Sequence, residues 1–260
     1  MISVSSAQLD LWIASFIYPL VRILAVAATA PFLSNAALPR RIRLMLGLAL
    51  TLAIAPILPA MPAVSPASGL GLWILAQQIL IGIGMGLSMR IIFTAIEMAS
   101  SIIAFQMGLG FATFYDPQST SQTSVIANFL TLLATLVFLA LNGHLIYFSV
   151  MAQSFLAIPI TSTPLHASSW HFLASLGARI FSTGLLLSLP VIVILLITNL
   201  GMGVLNRAAP QLNLFAIGFP ITLALGFAGL YLMMSYLVVP LEQIFNEGLN
   251  AMLYFALPPA

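Results

Sequence analysis

Cysteine and lysine are both absent from this chain of 260 residues, and charge of either sign is scarce. Without cysteine there is no disulfide and no thiolate metal site. Seven arginines and five acidic residues make up a charged fraction of 5%, against 62% hydrophobic residues. A soluble domain carries about 25% charged residues, so a cytosolic globular enzyme is excluded. Disorder is excluded as well, because it requires low hydrophobicity and high charge. The net charge of +2 is small and the arginines form no basic stripe, which argues against a nucleic-acid partner. Met1 to Asp10 puts no basic residue ahead of the first apolar run, so that segment reads as retained rather than as a signal peptide. An all-α integral membrane protein remains, since backbone crossing a bilayer must satisfy its own polar groups.

A helix spans a bilayer core with roughly 20 apolar residues, and six runs are long enough. They are Leu11–Leu33, Leu44–Met61, Leu70–Met89, Val125–Ile146, Ile180–Leu200 and Leu214–Tyr236. Pro56, Pro59, Pro62 and Pro66 divide the uncharged stretch from Leu44 to Met89 into two helices. If the six runs alternate across the membrane, Arg40, Arg41, Arg43, Arg90 and Arg207 fall on one side. Arg179 falls at the opposite boundary, and Arg22 lies inside the first run. Five against one is a positive-inside signal, which predicts those loops in the cytoplasm and both termini outside.

Chemistry is thinly represented. His166 and His171 are five apart, which turns them about 140° from one another on a helix, unsuited to sharing one metal. His144 stands alone beside Asn142 and Gly143. No metalloprotease helix, nucleophile elbow or phosphate loop is present. The sequence therefore predicts no catalytic residue, cofactor or metal. A secondary transporter of a small ion or solute is the alternative, with Arg22 as its best intramembrane residue, because an ionisable group in a membrane is functional by default. Arg90 and Glu97 share a helix face about 10.5 Å apart along the axis, but no relay chain of such groups is evident.

Small residues and aromatics say more. Gly82 and Gly86, four apart, allow another backbone to come close. Pro190 and Pro220 inside apolar runs predict kinks. The tail from Leu241 places Ile244, Phe245, Leu249, Met252 and Leu253 on a helical stripe, an amphipathic helix expected to pack at the interface. The most informative stretch runs from Met107 to Pro117. Gly108 and Gly110 free the backbone, Phe111, Phe114 and Tyr115 supply bulk, and Asp116-Pro117 starts a turn. Two readings follow on physical grounds. The stretch is a hinge whose aromatics close a pore, or a loop whose aromatics simply pack.

Gln106-Met107-Gly108-Leu109-Gly110-Phe111-Ala112-Thr113-Phe114, followed by Asp116-Pro117, resembles the signature of the FliR family, which includes the equivalent subunit of injectisome-type secretion systems. Further blocks agree in order along the chain. They are Thr29–Ser34 with Pro39-Arg40-Arg41, Gln77–Gly82, Leu141–His144, Ser154-Phe155 with Pro159-Ile160, and Asn206–Gln211 before Gly218-Phe219-Pro220. The tail after Leu241 matches least.

The resemblance implies a structural, pore-forming subunit of the flagellar protein export gate. It would lie in the bacterial inner membrane at the basal body, assembled with FliP and FliQ subunits near FlhB and FlhA. Unfolded flagellar proteins would be the cargo, driven by other components. It implies a plug at Met107, Gly108, Gly110, Phe111 and Phe114. It implies a FliP-like part over 1–170, a FliQ-like hairpin over 171–240 around Arg207, and a tail over 241–260. It also implies that kinked hairpins assemble into a helical cone, burying apolar runs against neighbouring subunits rather than lipid.

Overall fold

The computed structural model describes residues 6–34, 38–59, 62, 64–111, 125–211 and 214–256, and among them there is no β-strand. The helices are α1 (Ser6–Thr29), α2 (Arg40–Ile54), α3 (Gly69–Gln106), α4 (Val125–Ala140), α5 (Gly143–Ala157), α6 (Ala167–Leu176), α7 (Ala178–Ala208), α8 (Leu214–Met234) and α9 (Val238–Ala256). An all-α membrane protein is what the composition predicted. The buried hydroxyls show how such helices satisfy themselves. Thr51, Ser88 and Ser100 each donate back to the carbonyl four residues earlier, at 2.7, 3.0 and 2.7 Å.

The count of crossings differs from six. Four stretches are long and apolar enough to cross a membrane: Gln8–Thr29, Gly69–Gln106, Ala167–Ala208 and Ile217–Met234. A fifth exists only if α4 and α5 together make one broken span. The run at Leu44–Met61 fails because α2 has 15 residues and gives way to a 3-10 turn, Ala55–Ile57, holding Pro56. Fifteen residues reach about 22 Å, short of a hydrocarbon core of about 30 Å. The run at Val125–Ile146 is divided because Asn142 takes a left-handed backbone, φ 57°, between α4 and α5. The alternation of sides read from six crossings does not follow from four or five. α3 departs in the other direction. Its 38 residues reach about 57 Å, well beyond any bilayer core.

The chain forms two compact units. The first holds Met1–Ile91, Asn142–Gly177 and Phe245–Ala260, and the second holds Ile92–Leu141 and Ala178–Ile244. In the first, α1 packs on α3 at short range. A Cβ added to Gly82 would lie 2.6 Å from Ala25 Cβ and from the Arg22 carbonyl oxygen, and one at Gly86 would collide with Thr29. The tail helix is no interfacial strap: Phe245, Leu249, Met252 and Phe255 are buried, and Phe255 meets the Trp170 ring edge-on at 5.4 Å. In the second unit α7 and α8 form an antiparallel hairpin around Arg207, packed where Gly229 admits Ile194.

These approaches predict a contrast. Gly82→Ala forces α1 and α3 apart and should lower the thermal midpoint of the detergent-solubilised protein. Gly201→Ala meets open space and should leave the midpoint unchanged or raise it, since alanine favours a helix over glycine by about 1 kcal/mol. Equal effects at the two positions would contradict the packing role of Gly82.

Candidate functional site

The end of α3 is built to stop. Met107 is fully buried, and its side chain occupies the space a Cβ on Gly226 of α8 would need, at 2.5 Å from that position. Its N–H still closes the helix onto Ile103, whereas the Gly108 N–H drops to Phe105 at 3.0 Å. Gly108 then takes φ 82°, the left-handed region that costs any residue with a Cβ about 1–2 kcal/mol. A 3-10 turn over Leu109–Phe111 follows. Gly110 lies against Phe105, where a Cβ would come within 3.1 Å of the ring. Met107, Gly108 and Gly110 are thus brought together as an anchored hinge. The Phe111 side chain and all of Phe114 lie outside the described residues.

Beside the hinge is a cavity of about 410 Å³ between the end of α3 and the α7–α8 hairpin, lined by Gln106, Gly108, Asn199, Asn206, Phe219 and Thr222 among others. Gln106 of α3 and Asn199 and Asn206 of α7 bring three carboxamides to its lining.

The basic positions are at helix ends. Arg40, Arg41 and Arg43 occupy the first turn of α2, where cations oppose the helix dipole, so helix stability does not explain them. Arg207 sits in the last turn of α7, where a cation is favourable. Arg40, Arg41 and Arg207 are exposed.

Arg22 is a different kind of residue. It is 0% exposed. Its Nε donates to Gln78 Oε1 at 2.7 Å, one terminal nitrogen donates to the Ser154 carbonyl at 3.1 Å and its hydroxyl at 3.4 Å, and the other donates to the Ile158 carbonyl at 2.9 Å. The guanidinium also stands 4.3 Å over the Phe155 ring. The planar fork therefore ties α1 to α3, to α5 and to the segment after α5 in one step. Such a group is held in the packing. Among the described residues, no group of three or more His, Asp or Glu could hold a metal ion.

The chain resembles known proteins over nearly its whole length. A family model described as bacterial export proteins, family 1, matches residues 13–248. A flagellar biosynthetic protein FliR of Pectobacterium carotovorum subsp. carotovorum is 44% identical over 249 residues, covering 95% of this chain and 94% of that protein. One from Escherichia coli strain K12 is 43% identical over 250 residues, covering 96% and 95%. The chain belongs to the FliR family. A FliR of Aquifex aeolicus strain VF5 is still 30% identical over 234 residues, or 90% of each chain. The match to the bacterial export family model ends at residue 248, inside α9.

Sequence reasoning flagged Arg22 in this FliR-family chain but missed its partners. The signal was available. Gln77 and Gln78 are adjacent carboxamides in an uncharged apolar run, and a polar side chain in such a run needs a partner. What spacing could not supply was that the partner lies 56 positions earlier.

Proposed function

We propose that this chain is a structural, pore-forming subunit of the flagellar protein export gate and not an enzyme. It resides in the bacterial inner membrane at the flagellar basal body. It assembles with FliP and FliQ subunits, near FlhB and FlhA, and unfolded flagellar proteins are its cargo. The segment from Met107 through Gly108, Gly110 and Phe111 to Phe114 serves as the plug. Arg40, Arg41, Arg43 and Arg207 lie on the cytoplasmic side, while Gly82 and Gly86 let α1 and α3 pack closely. Residues 1–170 are the FliP-like part, 171–240 the FliQ-like hairpin and 241–260 the tail.

The observation that carries this reading is membership of the FliR family over nearly the whole chain. The anchored hinge after α3 supports the plug, because it fixes one end of an aromatic segment while letting the chain turn back. The exposed apolar faces support a hetero-oligomer. Val204 is 71% exposed and Tyr231 75%, and Phe181, Leu186, Ile197 and Leu200 are also bare. Faces this apolar require lipid or neighbouring subunits.

Purification from native membranes tests the reading. A mixed complex containing FliP- and FliQ-like chains is expected, and unfolded flagellar proteins should crosslink to Phe111. Recovery of the chain only as a monodisperse monomer would overturn it.

A further inference from the structure

The cavity beside the hinge lies wholly within the second unit. None of its lining residues is charged, yet three of them, Gln106, Asn199 and Asn206, are carboxamides. Asn199 and Asn206 are exposed and Gln106 is half-buried. None of these three side chains is engaged in a hydrogen bond among the described residues. Their donors and acceptors are therefore free to meet whatever enters.

The geometry of α7 arranges two of them. Asn199, Met202, Gly203 and Asn206 all line the cavity, and the spacing i, i+3, i+4, i+7 puts them on one face of the helix. Seven residues separate the two asparagines by about 10.5 Å along the axis. Gly203 lies between them. A Cβ there would meet nothing within 4 Å, so no close packing calls for glycine, although glycine destabilises a helix relative to alanine. Its effect is to leave the wall between the two amides clear.

The chemistry of the lining selects a ligand. A carboxamide offers an acceptor oxygen and two N–H donors. It can accept from a main-chain N–H and donate to a main-chain carbonyl at the same time. Ionic groups are held best by opposite charge, which the lining lacks, whereas a neutral peptide group is matched by a neutral amide. The spacing then selects a conformation. Unfolded chains favour polyproline II, which makes no internal hydrogen bonds and turns once in three residues, rising about 3.1 Å for each. Peptide groups facing one side therefore recur about every 9.3 Å, a spacing the two asparagine side chains can meet. A β-strand repeats about every 6.8 Å, a poorer match, and a helix has already satisfied its own peptide groups.

From these observations we infer that the cavity is a main-chain subsite for unfolded polypeptide in transit. Asn199 and Asn206 hold a polyproline II stretch by its peptide groups, and Gln106 contributes from α3. This inference rests on the export-gate reading. It adds a reason why one gate serves cargo of differing sequence, since the backbone is all that unfolded chains of differing sequence share. The hinge glycine Gly108 also lines the cavity, which places the subsite at the root of the proposed plug.

The test uses the assembled gate with cargo stalled inside it by a folded domain at the cargo's C-terminus. A photo-crosslinking residue replaces Phe219, an exposed aromatic of the lining, and a second gate carries it at Phe111 as the reference. Two cargoes of unrelated sequence should be captured from Phe219 with similar yield. Asn199→Leu with Asn206→Leu should lower that yield by about tenfold for both, with capture from Phe111 retained. Asn199→Gln with Asn206→Gln keeps the carboxamides and should restore it. Gly203→Leu fills open space and should lower the yield without lowering the melting midpoint. Capture from Phe111 but not from Phe219 overturns the subsite and leaves the gate reading standing. So does capture of a neighbouring gate subunit from Phe219 in place of cargo. A loss confined to one cargo overturns main-chain recognition. No capture from either position, with no mixed complex, overturns the gate reading and the subsite with it.

Discussion

Deleting Gly108–Phe114 is expected to make an assembled gate leak ions at rest. The expected rise in membrane conductance is about tenfold or more, because a constriction closed by apolar groups holds back water and ions almost completely. The structure makes this deletion a clean one. Met107 is anchored against Gly226 and α3 ends just before Gly108, so the helix and its packing remain when the segment after them is removed. A milder change makes the same point. Gly108→Val places a β-branched residue at φ 82°, which costs on the order of 1–3 kcal/mol. It should misplace the segment and give a smaller leak. The measurement is conductance, or dye entry, in cells or vesicles whose gate is intact by copurification. Unchanged conductance in an intact assembly lacking these residues would remove the plug from the mechanism and leave family membership untouched.

The parts of the fold legible in the sequence are those set by composition and local chain chemistry. An apolar chain this poor in charge had to be helical, and the proline cluster from Pro56 had to end α2. Gly108 was expected to free the backbone, and it adopts the one positive-φ glycine conformation among the described residues. The crossing count failed for a physical reason. Hydropathy counts apolar residues but cannot see that a single residue, Asn142, breaks the helix between α4 and α5. Past the exposed Arg90 the helical pattern in the sequence does continue, and α3 runs on to Gln106. The tail was misjudged because an amphipathic stripe looks the same whether it faces lipid or the Trp170 ring. The contacts of Arg22 are set by tertiary packing between positions 22, 78, 154 and 158, a separation that no periodicity encodes.

Arg22 therefore carries the second large effect. Arg22→Leu removes the donor from the Gln78 oxygen and the Ile158 carbonyl and leaves both buried acceptors unpaired. Arg22→Lys keeps the charge but places it at one point, which cannot serve α3, α5 and the segment after α5 together. Each should destabilise the chain by about 3 kcal/mol or more, because every buried acceptor left unpaired costs about 1–3 kcal/mol. The readout is a lower melting midpoint and loss of the chain from the assembled complex. Arg41→Gln, at an exposed position at the start of α2, should cost less than about 0.5 kcal/mol. The coupling can be measured. Once Arg22 is leucine, Gln78→Leu removes the stranded amide, so the double variant should be more stable than Arg22→Leu alone. The same substitutions separate structure from transport. A transporter that uses Arg22 takes up solute as the purified chain and loses that uptake in a folded Arg22→Gln variant. A structural tie loses stability first and shows no uptake to lose. An Arg22→Leu variant as stable as the parent would dismiss the tie.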